Sequence, residues 1–81
     1  MSDVAKKIYE IVSSYAIKKS PEDVANAERF EDLALDSVGL MAILDEIEEE
    51  LGVKLDQDPN INITVPEFVQ LIESLVAAKN A

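Results

Sequence analysis

Apolar residues recur along this chain at the three- and four-residue spacing of helix faces. In "SDVAKKIYEIVSSYAI", Val4, Ile8, Ile11, Val12 and Tyr15 fall on one stripe. This predicts a helix from about Asp3 to Ala16. In the middle of the chain Leu40, Ile43, Leu44, Ile47 and Leu51 repeat the pattern, while Asp45, Glu46, Glu48, Glu49 and Glu50 crowd the other side. A second helix is expected from Ser37 to about Leu51, stopped by Gly52 in the left-handed conformation. A third opens at "TVPEFVQLIESLVAA". Thr64 and Glu67 are spaced as a capping box there, Pro66 is tolerated in the first turn, and Val65, Phe68, Ile72, Leu75 and Val76 form the buried face.

The segments between these helices read differently. Ser20 before Pro21 and two acids looks like an N-cap with a proline in the first turn, enough for one helical turn. The rest of "KKSPEDVANAERFEDLALDS" is a long connection. Its Phe30, Leu33 and Leu35 suggest that it packs across helix ends. "VKLDQDPNINI" is rich in turn formers, with room for one irregular turn. No run alternates strictly, so no sheet is expected. Residues 1–81 form a single domain, an all-α small bundle of three main helices with short irregular turns and a long first connection. Fully burying one Leu, Ile or Phe is worth about 1.5–3 kcal/mol, so the converging stripes are the main source of stability.

Composition narrows the chemistry. The chain has no cysteine and no histidine. Disulfides, thiolate zinc sites, histidine metal sites and catalytic triads are therefore out of reach. Net charge is −10, and it is uneven: from Ser20 to Ala78 there are 15 carboxylates against Arg29 and Lys54. Such a surface repels nucleic acid and anionic lipid and suits basic partner proteins. No apolar run is long enough to span a membrane, and the first residues lack the pattern of a signal peptide. The reading is a soluble, cytoplasmic chain, expected to be a monomer.

Residues 30–53 hold eight acids and no lysine or arginine, with Ser37 in their midst. Asp36 is placed to cap the second helix. Ser37 then falls at the first helical position, where capping does not require its hydroxyl. A helix N-terminus offers unpaired N–H groups and partial positive charge, a favourable field for a phosphate ester. Gly39 inside the helix costs about 0.5–1 kcal/mol relative to Ala. Close approach of a ligand or partner is one reason to keep it, a shallow helix start another.

The stretch "LALDSVGLMAILDEIEEELGV" resembles the region around the modified serine of acyl carrier proteins. An Asp-Ser pair and an aliphatic residue are followed by apolar positions three, six, seven, ten and fourteen residues on, then an acidic cluster. The resemblance extends upstream through "RFEDLALDS" and takes in the first helix and the last, so it covers nearly the whole chain.

It implies that a phosphopantetheinyl transferase, with Mg²⁺, moves 4′-phosphopantetheine from coenzyme A to the Ser37 hydroxyl, beside Asp36. The arm's thiol would then carry an acyl group as a thioester, so a chain without cysteine suffices. The protein would be a carrier and not an enzyme, serving fatty acid or polyketide biosynthesis or other lipid metabolism. The acyl chain would enter a space lined by Leu44, Ile47, Phe68 and Ile72, residues that ordinary core packing also explains. Acyl-transfer, synthase or ligase enzymes would dock through basic patches on Asp36, Glu48 and Glu49, with Val38 and Met41 as apolar contacts. Many fatty-acid-pathway members carry acids two and five positions after the serine, where this chain has Gly39 and Ala42, and its third helix is replaced by "DQDPNIN". These departures suggest a specialised stand-alone carrier for polyketide, lipid-modification or aminoacyl chemistry.

Two rivals remain. "DQDPNINITVPE" approaches a calcium loop, with Asp56, Asp58 and Asn60 at positions one, three and five and Glu67 at twelve. It fails at position six, where Ile61 stands in place of glycine. The other is an unmodified acidic helical interaction module in which Ser37 is only part of a helix start.

Overall fold

Helix α1 spans Asp3–Tyr15 and buries Ala5, Ile8, Ile11 and Val12. We describe residues 3–55 and 62–79 of a computed structural model. The helix stops one residue before the expected end. Ala16 still donates its N–H to the Val12 carbonyl at 3.1 Å, but Lys18 turns to φ 59°, which breaks the helical path. Ala16 itself is buried in the core.

Helix α2, Pro21–Asn26, is longer than the single turn expected. Two features support the extra residues. The Ser20 hydroxyl accepts the Asp23 N–H at 3.2 Å while the Asp23 carboxylate accepts the Ser20 N–H at 2.9 Å, a complete capping box. Val24 then points fully inward and gives the short helix a place in the core. A 3₁₀ turn follows at Phe30–Leu33, with both terminal residues buried. The first connection is thus largely structured, and its apolar residues pack as the pattern predicts.

Helix α3 is Ser37–Leu51 and buries Leu40, Ile43, Leu44 and Ile47; helix α4 is Val65–Lys79 and buries Val65, Phe68, Val69 and Ile72. Leu75 and Val76 pack against the core without being fully covered. Helix α1 packs against all three other helices. Helices α3 and α4 come close along less of their backbones than either does with α1. The described residues form the expected all-α bundle with three main helices. They contain one isolated antiparallel bridge, Arg29 with Thr64, and no named strand. That bridge ties the first connection to the start of α4, helped by the Val65 N–H on the Glu28 carbonyl at 2.7 Å and by Arg29 Nη1 on the Asn62 carbonyl at 2.9 Å.

Gly52 ends α3 at φ +64°, its N–H on the Glu48 carbonyl at 2.9 Å. Lys79, in the last turn of α4, reaches across to donate Nζ to the Leu51 carbonyl at 3.1 Å. A Cβ on Gly52 would lie 2.5 Å from that ammonium, so Lys79 would have to move. Gly52→Ala is therefore expected to lower stability by about 1–2 kcal/mol, mainly through the left-handed backbone. A shift of the urea midpoint at unchanged slope is the measurement.

Two caps make stability depend on acid. The Asp23 carboxyl is held below the usual carboxylate range by the Ser20 backbone N–H, then by its hydroxyl. Glu67 is held down in the same way by Thr64. Groups depressed on folding stabilise above their unfolded pKa, and that contribution is lost as pH falls through the folded one. Both caps should therefore open only below the range in which free Asp and Glu titrate. In NMR titrations the Ser20 and Thr64 amide shifts should follow midpoints below those of free Asp and Glu. Midpoints at the free values would show that the caps do not form in solution. In the other direction, the Tyr15 phenol donates to Glu46 at 2.9 Å and is held above its usual range by that bond first. Deprotonation of the phenol in alkali removes that bond between α1 and α3.

Candidate functional site

The approach to Ser37 is set by one unusual backbone residue. Ala34 adopts φ 59° and closes the 3₁₀ turn, donating its N–H to the Glu31 carbonyl at 3.0 Å. The turn lets the Leu35 N–H reach the Phe30 carbonyl at 3.2 Å and sends the Leu35 side chain into the core. Asp36 follows in extended conformation as the N-cap of α3. Its Oδ1 accepts the Gly39 N–H at 2.9 Å, and its carbonyl accepts the Leu40 N–H at 2.9 Å. The helix is thereby capped without the Ser37 hydroxyl.

Ser37 stands at the first position of α3 and is exposed. Among the described residues its hydroxyl has no hydrogen-bond partner, and the amides of Ser37 and Val38 have none either. Val38 is 74% exposed and Met41 46%, so an apolar pair lies in water beside the hydroxyl. Gly39 lies against the turn that precedes the helix. A Cβ there would meet Leu35 Cδ2 at 3.3 Å, so that side chain would have to give by a few tenths of an ångström, and Asp36 Oδ1 at 3.5 Å, an ordinary contact.

The acidic face is less free than its sequence suggests. Of the five acids between Asp45 and Glu50, three are engaged inside the fold. Glu46 takes the Tyr15 hydroxyl, Glu50 pairs with Lys7 at 3.4 Å, and Glu48 Oε2 accepts the Leu55 N–H at 2.7 Å. Among the described residues Asp45 and Glu49 have no such partner, and both are exposed. An open surface groove runs beside them, lined by Asp45, Glu48, Glu49, Val53, Lys54 and Leu55. The Tyr15 and Lys7 pairings depend on how α1 lies across α3, and the Leu55 pairing on the turn after Gly52, which no local pattern encodes.

Leu44, Ile47, Phe68 and Ile72 are all buried in one core cluster. Phe68 meets Phe30 edge-on, with ring centroids 5.1 Å apart and planes at 89°. The calcium-loop candidates Asp56, Asp58 and Asn60 lie outside the described residues. Glu67 is described: its Oε1 accepts both the N–H and the hydroxyl of Thr64, at 3.2 and 2.9 Å, and serves the α4 cap. Among the described residues no three metal-ligating side chains come together, and no helix is long and apolar enough to cross a membrane.

Comparison with known proteins agrees with this geometry. Residues 6–75 match the family model described as "Phosphopantetheine attachment site". The acyl carrier protein of Zymomonas mobilis is 34% identical over 74 residues, spanning 90% of this chain and 95% of its own. Acyl carrier proteins of Lactococcus lactis subsp. cremoris and subsp. lactis are 31% identical over 71 residues, spanning 88% of this chain and 94% of theirs. No solved structure matches the chain significantly. With a family model over most of its length and relatives aligned nearly end to end, the chain belongs to the acyl carrier protein family, whose prosthetic group is covalently attached 4′-phosphopantetheine.

Proposed function

We propose that this protein carries acyl or related intermediates as thioesters on a 4′-phosphopantetheine arm attached to Ser37, and delivers them to the enzymes of one pathway. The observation that carries the reading is the exposed Ser37 hydroxyl at the first position of α3, relieved of capping by Asp36. The end of the helix fits a phosphodiester. The Ser37 and Val38 amides face no internal acceptor, and the helix dipole favours negative charge there.

Loading is the work of a phosphopantetheinyl transferase. The Ser37 Oγ–P bond forms, the pyrophosphate P–O bond of coenzyme A breaks, 3′,5′-ADP leaves, and the hydroxyl proton passes to a base of the transferase. The arm supplies the thiol that this chain lacks. The chain's own residues hold the attachment point at a rigid helix end and keep it in water.

Delivery requires docking. Val38 and Met41 supply exposed apolar contact beside the serine, and Asp36 and Glu49 supply unscreened negative charge along α3. A one-sided field speeds encounter with a basic patch more than it tightens binding, so docking should weaken with salt. The acyl chain's place is between α3 and α4, among the buried Leu44 and Ile47 of one helix and Phe68 and Ile72 of the other.

A thiol assay tests the reading simply, because the unmodified chain contains no sulfhydryl. Treatment with coenzyme A, Mg²⁺ and a promiscuous transferase, followed by removal of small molecules, should take the thiol content from none to one per chain. Thiol content that stays at zero would count against the carrier role. Calcium titration with a Glu67→Gln control separates the calcium-loop alternative, and neither response would leave the plain interaction module.

A further inference from the structure

We propose that Phe68 sets the limit on cargo, so that this carrier serves short or polar acyl groups, aminoacyl groups among them, and keeps long alkyl chains out of its core. The inference rests on the carrier reading above. That reading puts the acyl chain between α3 and α4, and Phe68 limits how much of it enters.

The two ends of α3 and α4 fix which residues lie toward the attachment point. At one end Lys79 of α4 donates to the Leu51 carbonyl at the close of α3. At the other, the chain that leads into Ser37 is tied to the start of α4. Arg29 bridges Thr64, and the Val65 N–H sits on the Glu28 carbonyl at 2.7 Å. Both helices have 15 residues, so they run in the same direction with their ends matched. Phe68, in the first turn of α4, therefore stands at the Ser37 end, and Ile72 lies one turn deeper. On α3, Leu44 and Ile47 lie deeper than Leu40.

A held ring already fills the Ser37 end. Phe68 is buried and meets Phe30 edge-on, with ring centroids 5.1 Å apart. Phe30 is in no position to step aside. It is completely buried, and its carbonyl holds the Leu35 N–H at 3.2 Å. Just before it, Arg29 donates its N–H to the Asp32 carboxylate at 3.1 Å and its guanidinium to the Asn62 carbonyl at 2.9 Å. A long acyl chain reaching from Ser37 toward Leu44, Ile47 and Ile72 has to drive the Phe68 ring off this fixed partner. Forcing extra methylenes into a close-packed core is unfavourable. A short acyl group stops outside the ring and meets no such opposition. A polar one also keeps its own hydrogen-bonding atoms in water.

Urea unfolding of the protein loaded by the promiscuous transferase, once from acetyl-coenzyme A and once from octanoyl-coenzyme A, tests this. Each methylene that finds the core multiplies the folded-to-unfolded ratio about fourfold. In wild type the two loaded forms should differ by less than that single step, and the methyl NMR shifts of Leu44, Ile47 and Ile72 should coincide between them. In Phe68→Ala the octanoyl form should exceed the acetyl form by more than fourfold, with the same methyl shifts moving. Phe68→Leu stands in should alanine unfold the chain, and its octanoyl gain should exceed that of wild type. An octanoyl gain above fourfold in wild type would overturn the limit. No gain in the folded variant would overturn its assignment to Phe68. A chain whose mass is unchanged by the transferase would overturn the carrier reading itself, and this inference with it.

Discussion

Ser37→Ala is expected to abolish phosphopantetheine loading completely while leaving the fold intact. Two independent features support so clean a separation. The hydroxyl has no hydrogen-bond partner among the described residues and the side chain is exposed, so its removal uncovers no buried polar group. The cap of α3 belongs to Asp36, which keeps its bond to the Gly39 amide in the variant. Alanine is also a good helix former at the first helical position, so stability should stay within about 0.5 kcal/mol of wild type. Incubation with coenzyme A, Mg²⁺ and transferase should add roughly 340 Da to wild type and nothing to Ser37→Ala. Loss of loading together with loss of helical structure would assign Ser37 to the scaffold instead. The contrasting variant is Asp36→Ala, which should lose about 1 kcal/mol of stability through the missing cap while keeping a loadable hydroxyl.

The largest stability loss is expected from Phe30→Ala, a residue outside every α-helix. Phe30 is completely buried and meets Phe68 edge-on. Its carbonyl also receives the Leu35 N–H, so it anchors the turn that leads into Ser37. Truncation of a buried phenylalanine costs about 3–5 kcal/mol, a large share of what a small domain possesses. In an 81-residue chain without disulfides this should leave much of the protein unfolded at moderate temperature. Urea unfolding by circular dichroism measures it, with Phe30→Leu as a control that restores most of the buried volume. A loss below about 1 kcal/mol would mean that the first connection is not part of the core.

The three main helices were legible because their stripes are strong and their ends carry local chemistry. The Thr64–Glu67 box, the Gly52 stop and the Asp36 cap are each fixed by residues within four positions of one another. Local interactions of that kind survive in almost any tertiary setting. The place of Ser37 was legible for the same reason: an exposed serine after a capping aspartate needs no distant partner to take up that position.

What stayed hidden depends on how separate elements meet. The 3₁₀ turn at Phe30–Leu33 and the left-handed Ala34 are not favoured by their own residues, since alanine rarely takes positive φ. They are imposed by the burial of Phe30, Leu33 and Leu35 together. The second turn of α2 likewise depends on Val24 finding the core. The acidic face misled in a further way. In sequence Glu46, Glu48 and Glu50 look equally free, yet each is matched by a partner from elsewhere: Tyr15, the Leu55 amide and Lys7. The run of carboxylates is therefore part exposed surface and part internal fastening, and only the packing of α1 on α3 and the turn after Gly52 separate the two.

A peptide digest of the transferase-treated protein, sequenced by tandem mass spectrometry, bears most directly on the carrier role. The account predicts one phosphopantetheine per chain, in ester linkage to the oxygen of Ser37 and nowhere else. A chain that emerges unmodified, or one carrying the group on a different hydroxyl, would contradict it.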